Sequence, residues 1–234
     1  MLNDQNANGA TALHIFALNC DTTGTQQQIN AGANLNIQDL YLDTPLHNSI
    51  YSLCPSILTL LLQAGANSAI NNKNGNDALG VCVAIFVSNI TTLQSKAKLL
   101  ELIKILLSFG ANPNVVNGIG YAILHTAVTQ SFEMTKILLE NNANPNVEDL
   151  DGNPPLTHAV YSLNVPTATL LVKFGALNIQ GLFLKTPLDY ACFYGHTKLI
   201  ELLKPVQIQR CKNRKNVMIA APREFPFLNI RNFK

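Results

Sequence analysis

The stretch TPLHNSIYSLCPSILTLLLQAGANSA, residues 44–69, contains the signals that decide the fold. Thr44 stands where its hydroxyl can cap the first of two helices. Pro45 suits the next position, because its missing N–H would go unpaired there. Leu46 is expected to point inward. A second apolar segment ends before Gly65, which supplies the left-handed residue at which many helices stop. The stretch therefore predicts a helix, a turn and a second helix.

The same pattern recurs along the chain. Counterparts of TPLH begin at residues 11, 44, 77, 122, 154 and 186, at steps of 33, 33, 45, 32 and 32 residues. A second marker runs in phase, as NAGANLN (30–36), SFGANPN (108–114) and NNANPNV (141–147). No single unit of this length buries its apolar face alone, so the repetition predicts a linear solenoid stabilised by stacking.

These repeated residues resemble the ankyrin-repeat family, whose period and T-P-L-H signature they share. The resemblance implies an all-α solenoid of helix-turn-helix units with β-hairpin fingers between them. Twelve extra residues in the third unit fall near 86–98, between its two helices, and predict longer helices or a protruding loop. The ankyrin-repeat domain is expected to span about residues 4–204 in six repeats, near 4–36, 37–69, 70–114, 115–146, 147–178 and 179–204.

All five histidines fall at repeat positions. His14, His47 and His125 share one position, His158 lies one place later in its repeat, and His196 occupies a second family position. In the family, the imidazole ties adjacent turns together. Packed helices lie ~8–10 Å apart, whereas zinc holds its nitrogen ligands at ~2.0–2.1 Å. Histidines of successive repeats are therefore not expected to share an ion, and no metal site is predicted.

Other catalytic or cofactor signals are weak. The sequence contains no GxGxxG, P-loop, HExxH or GxSxG motif, so neither catalytic residues nor a cofactor are predicted. The acids of EDLD (148–151) lack the alternating oxygen ligands and distal glutamate of a calcium loop, and a solvated fingertip is expected.

The cysteines and the chain's hydropathy predict its compartment. The five cysteines include no CxxC pair and are odd in number, which favours reduced, packed cysteines. The N-terminal residues are polar, unlike a signal peptide. The longest apolar run, 79–87, is too short to span a bilayer. We therefore expect a soluble, cytoplasmic protein.

The resemblance also implies a concave groove, formed by the fingertips and the exposed face of the first helices. Two fingertips are apolar where turns are normally polar: QDLYLD (38–43) and QGLFLK (180–185). Exposed aromatic residues are common binding anchors. An alternative is that these tips pack against each other or against the tail. The predicted partner-binding residues are a wall of Leu40, Tyr41, Leu182 and Phe183 and an aromatic floor of Tyr51, Tyr161, Phe193 and Tyr194.

The last thirty residues differ from the body in charge. Residues 1–204 hold nine lysines, no arginine and thirteen acids, whereas residues 205–234 carry a net charge of +6 and many apolar side chains. This basic, apolar tail is expected to cap the last repeat. Its segment PREFPFLNIRNF (222–233) resembles a suppressor-of-cytokine-signalling box, which would recruit a ubiquitin ligase. A surface for nucleic acid or acidic membrane is the third interpretation.

Together these features predict a non-enzymatic module that binds another protein in the concave groove, with no small-molecule substrate. The asparagine- and isoleucine-rich, arginine-poor body resembles secreted effectors of intracellular bacteria or viral host-range proteins, which act in a host-cell cytosol. The alternative function is a ubiquitin-ligase substrate adaptor that recruits the ligase through its tail.

Overall fold

The computed structural model describes residues 2–88, 92–116, 121–181 and 185–204, and these form twelve helices in consecutive pairs. The all-α solenoid predicted from the sequence is confirmed. The division into six repeats at the boundaries given above stays a prediction. The helices are α1 Ala12–Leu18, α2 Thr22–Asn30, α3 Pro45–Tyr51, α4 Pro55–Gln63, α5 Ala78–Val87, α6 Leu93–Ser108, α7 Ile123–Gln130, α8 Phe132–Glu140, α9 Pro155–Tyr161, α10 Val165–Lys173, α11 Pro187–Phe193 and α12 Thr197–Leu203.

The predicted start and stop signals lie at the ends of these helices. Thr44 is the N-cap residue of α3, and Pro45 occupies the first helical position. The Thr44 hydroxyl and its backbone N–H both contact Nδ1 of His47, at 2.9 and 3.1 Å. After α4 the chain turns through Gly65 at φ 92°, a conformation that L side chains rarely adopt. The equivalent glycines at 32, 110 and 175 also have positive φ, as predicted.

Stacking of neighbouring pairs builds the core. The first helices α1, α3, α5, α7, α9 and α11 contact one another in that order, and the second helices form a second row behind them. Side chains between the rows are fully buried, among them Leu46, Leu58 and Leu106. Burying one such leucine contributes about 1.5–3 kcal/mol. Neighbour-to-neighbour contact is therefore the main source of stability.

Asparagines at the base of the fingers add a second connection between neighbouring pairs. In each case a side-chain oxygen accepts a backbone N–H about one repeat further on, which satisfies a donor that has no helical partner. Ala69 occupies the position that is equivalent to Asn36 in the next repeat, and its side chain has no acceptor. The bonds run from Asn34 N to Asn3 (3.0 Å), Asn67 N to Asn36 (2.9 Å), Asn144 N to Asn114 (2.7 Å) and Leu177 N to Asn146 (2.7 Å).

The fingers are hydrogen-bonded turns that stack on one another. Leu40 N donates to Asn8 O at 3.1 Å, and Lys73 N donates to Tyr41 O at 2.8 Å. Gly9 lies under the first of these contacts at φ 74°, and a Cβ there would come within 3.0 Å of Leu40 N. Antiparallel bridging between described residues is limited to Val116 with Ala122.

The insertion lengthens both helices of the third pair. α5 has 10 residues and α6 has 16, against 7 to 9 in the other described helices. Longer helices are one of the two outcomes predicted for the insertion, and a protruding loop is the other. Residues 89–91 lie outside the described residues. None of the helices formed by the described residues combines the length and the apolar character that a membrane span requires.

The prediction of reduced cysteines is wrong for Cys20, Cys54 and Cys192, which are all disulfide-bonded. Cys20 and Cys54 are joined by a disulfide, with their Cα atoms 5.8 Å apart. The two residues are 34 positions apart, one repeat period plus one, so stacking brings them side by side. A search for CxxC spacing misses such a pair. Cys82 follows the prediction, since it is free and buried in α5.

Three predictions for the tail concern residues 205–234: the solenoid cap, the ligase-recruiting box and the basic surface. All three lie outside the described residues. They stay predictions from the sequence.

Candidate functional site

The first apolar fingertip is held rigidly and exposed. Leu40 is 63% and Tyr41 66% exposed to solvent. The turn is fixed by Asp39, whose Oδ1 accepts backbone N–H groups from Tyr41 at 2.8 Å and Asp43 at 3.0 Å. The apolar side chains therefore project from a turn whose backbone is already ordered. The matching fingertip residues, Leu182 and Phe183, lie outside the described residues.

Tyr51 lies at the end of α3 and is oriented by a polar network. Its hydroxyl donates to Asp43 Oδ1 at 3.1 Å and accepts from Asn72 Nδ2 at 3.3 Å. Burial of the hydroxyl, with the nearby Asp43 charge, raises the pKa of Tyr51 to about 12, so it stays neutral. Its ring is 41% exposed. The ring borders a shallow, open groove of about 240 Å³ that is also lined by Asn72, Asn74, Asn76, Val81, Ala84, Ile85 and Ser88.

The last two helix pairs carry a group of aromatic side chains, here called the aromatic cluster: Tyr161, Tyr190, Phe193 and Tyr194. The Tyr161 ring lies 6.4 Å from Tyr190 and 6.0 Å from Tyr194, and Phe193 lies 5.3 Å from Tyr194, all edge to face. This geometry is favourable for aromatic pairs. Phe193 is 52% and Tyr194 40% exposed, whereas Tyr190 is buried beneath them.

Lys185 adds a positive charge to the cluster. Its Nζ lies 5.7 Å from the centre of the Tyr190 ring and 5.5 Å from that of Phe193, within cation–π range. Burial is the main cause that raises the pKa of both Tyr190 and Tyr194. The cluster is therefore an apolar surface of neutral rings with one ammonium group beside it.

The structure brings together only part of the predicted floor. Tyr161, Phe193 and Tyr194 are mutual neighbours, but Tyr51 is not among them. α3 and α9 are separated in the stack by α5 and α7. Tyr51 and the aromatic cluster are therefore two separate features of the same row of helices.

Sequence reasoning missed three residues of this surface. Tyr190 was assigned no role, although it supports the rings of the aromatic cluster. Lys185 is the last residue of the QGLFLK tip, and only its contacts show that it belongs to the cluster. Leu150 is 69% exposed. It follows a turn aspartate, as Leu40 does, so an alignment of the repeats could have identified it as a third apolar tip.

The histidines show how the repeat motif works. Nδ1 of His14 contacts the Thr11 hydroxyl at 2.9 Å and accepts the Thr11 N–H at 3.1 Å, and its Nε2 bonds to Asp43 O at 3.1 Å. His14 thus connects its own helix cap to the next finger. Burial lowers the pKa of His14, which keeps the imidazole neutral.

One group of titratable side chains contradicts the expected spacing of histidines. His125 and His158 have ring centres 5.2 Å apart, and together with Asp149 they offer ligand atoms that all lie within 4.8 Å of one another. The expectation that histidines of successive repeats lie ~8–10 Å apart is wrong for this pair. His158 lies one position past the repeat histidine, and its side chain turns back toward α7. We call His125, Asp149 and His158 the histidine–aspartate cluster.

Asp149 is the centre of that cluster and is not the solvated fingertip residue that was predicted. Its side chain is 1% exposed, and its Oδ2 lies 2.8 Å from His158 Nε2. Its Oδ1 accepts the backbone N–H groups of Asp151 and Asn153, at 2.9 and 2.8 Å. Burial alone would raise the pKa of Asp149, but the hydrogen bonds from His158 and Asn153 outweigh it and the pKa is lowered. The carboxylate is therefore ionised at neutral pH.

Comparisons with known proteins agree with this architecture. A family model described as ankyrin repeats (3 copies) matches residues 92–181. The solved ankyrin repeat protein EF0377 is 21% identical, with a TM-score of 0.69 over 85% of this chain and 98% of its own. An ankyrin repeat domain from Acinetobacter baumannii AYE is 26% identical, with a TM-score of 0.66 over 76% of this chain and 87% of its own.

A third structural match comes from a protein complex. It is a chain from the Bdellovibrio bacteriovorus complex of the Bd0816 predatory endopeptidase with the immunity protein Bd3460. It is 20% identical, with a TM-score of 0.65 over 85% of this chain and 100% of its own. A search of curated proteins found no match.

Stacked helix pairs with protruding turns define a class of repeat scaffold that typically serves protein–protein interaction and not catalysis. Within that class, residues 92–181 match the family model for ankyrin repeats, and the fold of the described residues is that of solved ankyrin repeat proteins.

Proposed function

We propose that this chain is a non-enzymatic module that binds another protein through the aromatic cluster and the apolar fingertips, with Tyr51 and its groove as a second contact. The observation that carries the proposal is the aromatic cluster, where half-exposed rings are held edge to face beside Lys185. Aromatic side chains on a protein surface dominate many binding interfaces.

The energetics favour a surface of this kind. The rings of Phe193 and Tyr194 are held by contacts that exist before any partner arrives, so little side-chain freedom is lost on binding. The fingertip of Leu40 and Tyr41 is ordered in advance by Asp39. Covering exposed apolar area gains about 25 cal/mol per Å². A partner that presents apolar side chains, with an acceptor group near Lys185, fits this surface.

A triple variant tests the proposal. Tyr161→Ala, Phe193→Ala and Tyr194→Ala together remove the two exposed rings and the partly buried Tyr161 ring, while leaving buried Tyr190 in place. The matched control is Phe109→Ala with Phe132→Ala, since these aromatic residues are 44% and 45% exposed but belong to the second row of helices.

Both proteins would be immobilised and compared with wild type in affinity capture from a cell lysate, after circular dichroism has shown native helix content. The triple variant should lose the captured partner and the control should keep it. Equal capture by the folded triple variant would refute the assignment of this surface.

The more specific roles rest on sequence alone. Action inside a host cell is suggested by composition. Recruitment of a ubiquitin ligase depends on residues 205–234. Neither role is needed for the surface proposed here, and both follow only once a partner has been identified.

A further inference from the structure

The helix cap before His125 differs from those before the other repeat histidines. At His14, the Thr11 N–H donates to Nδ1, so Nδ1 is an acceptor and the ring proton is on Nε2, which donates to Asp43 O. His14 therefore has no lone pair left for a ligand. Ala122 stands where threonine caps α1, α3 and α11, and it has no hydroxyl.

Nδ1 of His125 is left without a hydrogen-bond partner in the described part of the chain, and the residue is only 2% exposed. Its Nε2 contacts Asn153 O at 3.0 Å. Because no donor is fixed on Nδ1, the ring proton can move there. Nε2 then gives up its hydrogen bond to Asn153 O, and its lone pair becomes available to a cation. This change of tautomer is closed to His14 by its threonine cap.

Asp149 and His158, the other two members of the histidine–aspartate cluster, are oriented to bind the same cation. Asp149 keeps Oδ1 on two backbone N–H groups and points Oδ2 at His158. Supporting bonds of this kind orient the ligands of metal sites. The side chain of His158 is 25% exposed, which gives an entry path and room for a water ligand.

We propose that His125, Asp149 and His158 bind a divalent transition metal of the zinc class. Two imidazole nitrogens and one carboxylate oxygen form a common ligand set for zinc. Ligand atoms on tetrahedral zinc lie about 3.3 Å apart, given bonds of ~2.0–2.1 Å. The ligand atoms here lie within 4.8 Å of one another, so the site closes by a movement of His158 at the surface. The bound ion would tie α7 to α9.

Other repeats of the same chain supply conservative variants. Asn48 holds the position equivalent to His158, and its Nδ2 donates to His14 O at 3.2 Å. Asn72 holds the position equivalent to Asp149 and accepts the same pair of turn N–H groups, from Asn74 and Asn76. His158→Asn and Asp149→Asn therefore remove a ligand by inserting a residue that this fold already accepts.

The test is calorimetric titration of the full chain with zinc chloride, together with cobalt(II) absorption spectra. Wild type should bind one equivalent, with cobalt bands of a four-coordinate site and without the charge-transfer band of a cysteine ligand. His158→Asn and Asp149→Asn should each weaken zinc binding by roughly tenfold or more. Zinc should raise the melting temperature of wild type but not of these variants.

Ala122→Thr is the more specific test, because it removes no ligand. It should restore the threonine cap, hold Nδ1 of His125 as an acceptor and weaken zinc binding by roughly tenfold. The matched control is His47→Asn, which changes a repeat histidine outside the cluster and should leave zinc binding unchanged. An absence of saturable binding to wild type would overturn the proposal, as would unchanged affinity in both His158→Asn and Ala122→Thr.

Discussion

Replacing His14 measures how much the repeat motif contributes to holding neighbouring units together. The imidazole is fully buried and makes three hydrogen bonds, two to Thr11 and one to the next finger at Asp43 O. His14→Ala leaves these groups buried without partners. Each buried, unsatisfied polar group costs about 1–3 kcal/mol. The free energy of unfolding should therefore fall by about 3 kcal/mol or more.

A second substitution at the same position separates the two functions of the histidine. In the last described helix pair, Asp189 occupies this position and accepts from Thr186 N at 2.9 Å. An asparagine oxygen can accept in the same way, but the shorter side chain does not reach the next finger. His14→Asn should therefore cost only about 1–2 kcal/mol, the value of the lost bond to Asp43 O.

Urea denaturation followed by circular dichroism at constant pH would give both free energies. Hydrogen exchange would show whether the amides of α1 open first, as nearest-neighbour stability requires. The reasoning is refuted if His14→Asn is as stable as wild type, because the bond to the next finger would then contribute nothing. It is also refuted if His14→Ala costs no more than His14→Asn.

Three further predictions concern single residues of the scaffold. Leu163 is half-exposed and has φ 53°, and the equivalent residue of the last helix pair is Gly195 at φ 63°. Leu163→Gly should therefore raise the melting temperature, because it relieves about 1 kcal/mol of backbone strain. Asn36→Ala removes the acceptor of Asn67 N–H, and urea denaturation should show a loss of about 1 kcal/mol. Burial lowers the pKa of His47 below its ordinary 6.5, so below that pH the unfolded chain binds the proton more readily. The urea concentration at the unfolding midpoint should therefore decrease as the pH is lowered from about 6.5 to about 5. The decrease should be smaller in His47→Asn.

The elements that were predictable from sequence are those set by local chemistry. The threonine cap, the proline at the first helical position and Gly65 at the helix end depend on residues within one repeat. Their recurrence predicted the solenoid, and the structure confirms it. Elements that depend on the offset between repeats were harder to predict. The disulfide of Cys20 with Cys54 needs a spacing of one period plus one.

The same offset explains what was missed at the candidate sites. In the sequence His158 is a displaced repeat histidine, and that single-residue displacement brings it to His125 and Asp149. The repeat pattern predicts that Tyr51 lies with Tyr161, because both end a first helix, yet two first helices separate them in the stack. Repeat position predicts the row in which a residue lies, but contact between residues also depends on how many repeats separate them.

Site-specific photocrosslinking would test the proposed binding surface most directly. A benzophenone amino acid placed at position 193, in the aromatic cluster, is compared with one at position 132, on the second row of helices. The proposed function predicts that a partner protein is captured from position 193 and not from position 132. Capture from position 132 alone would place the partner on the opposite face and contradict it.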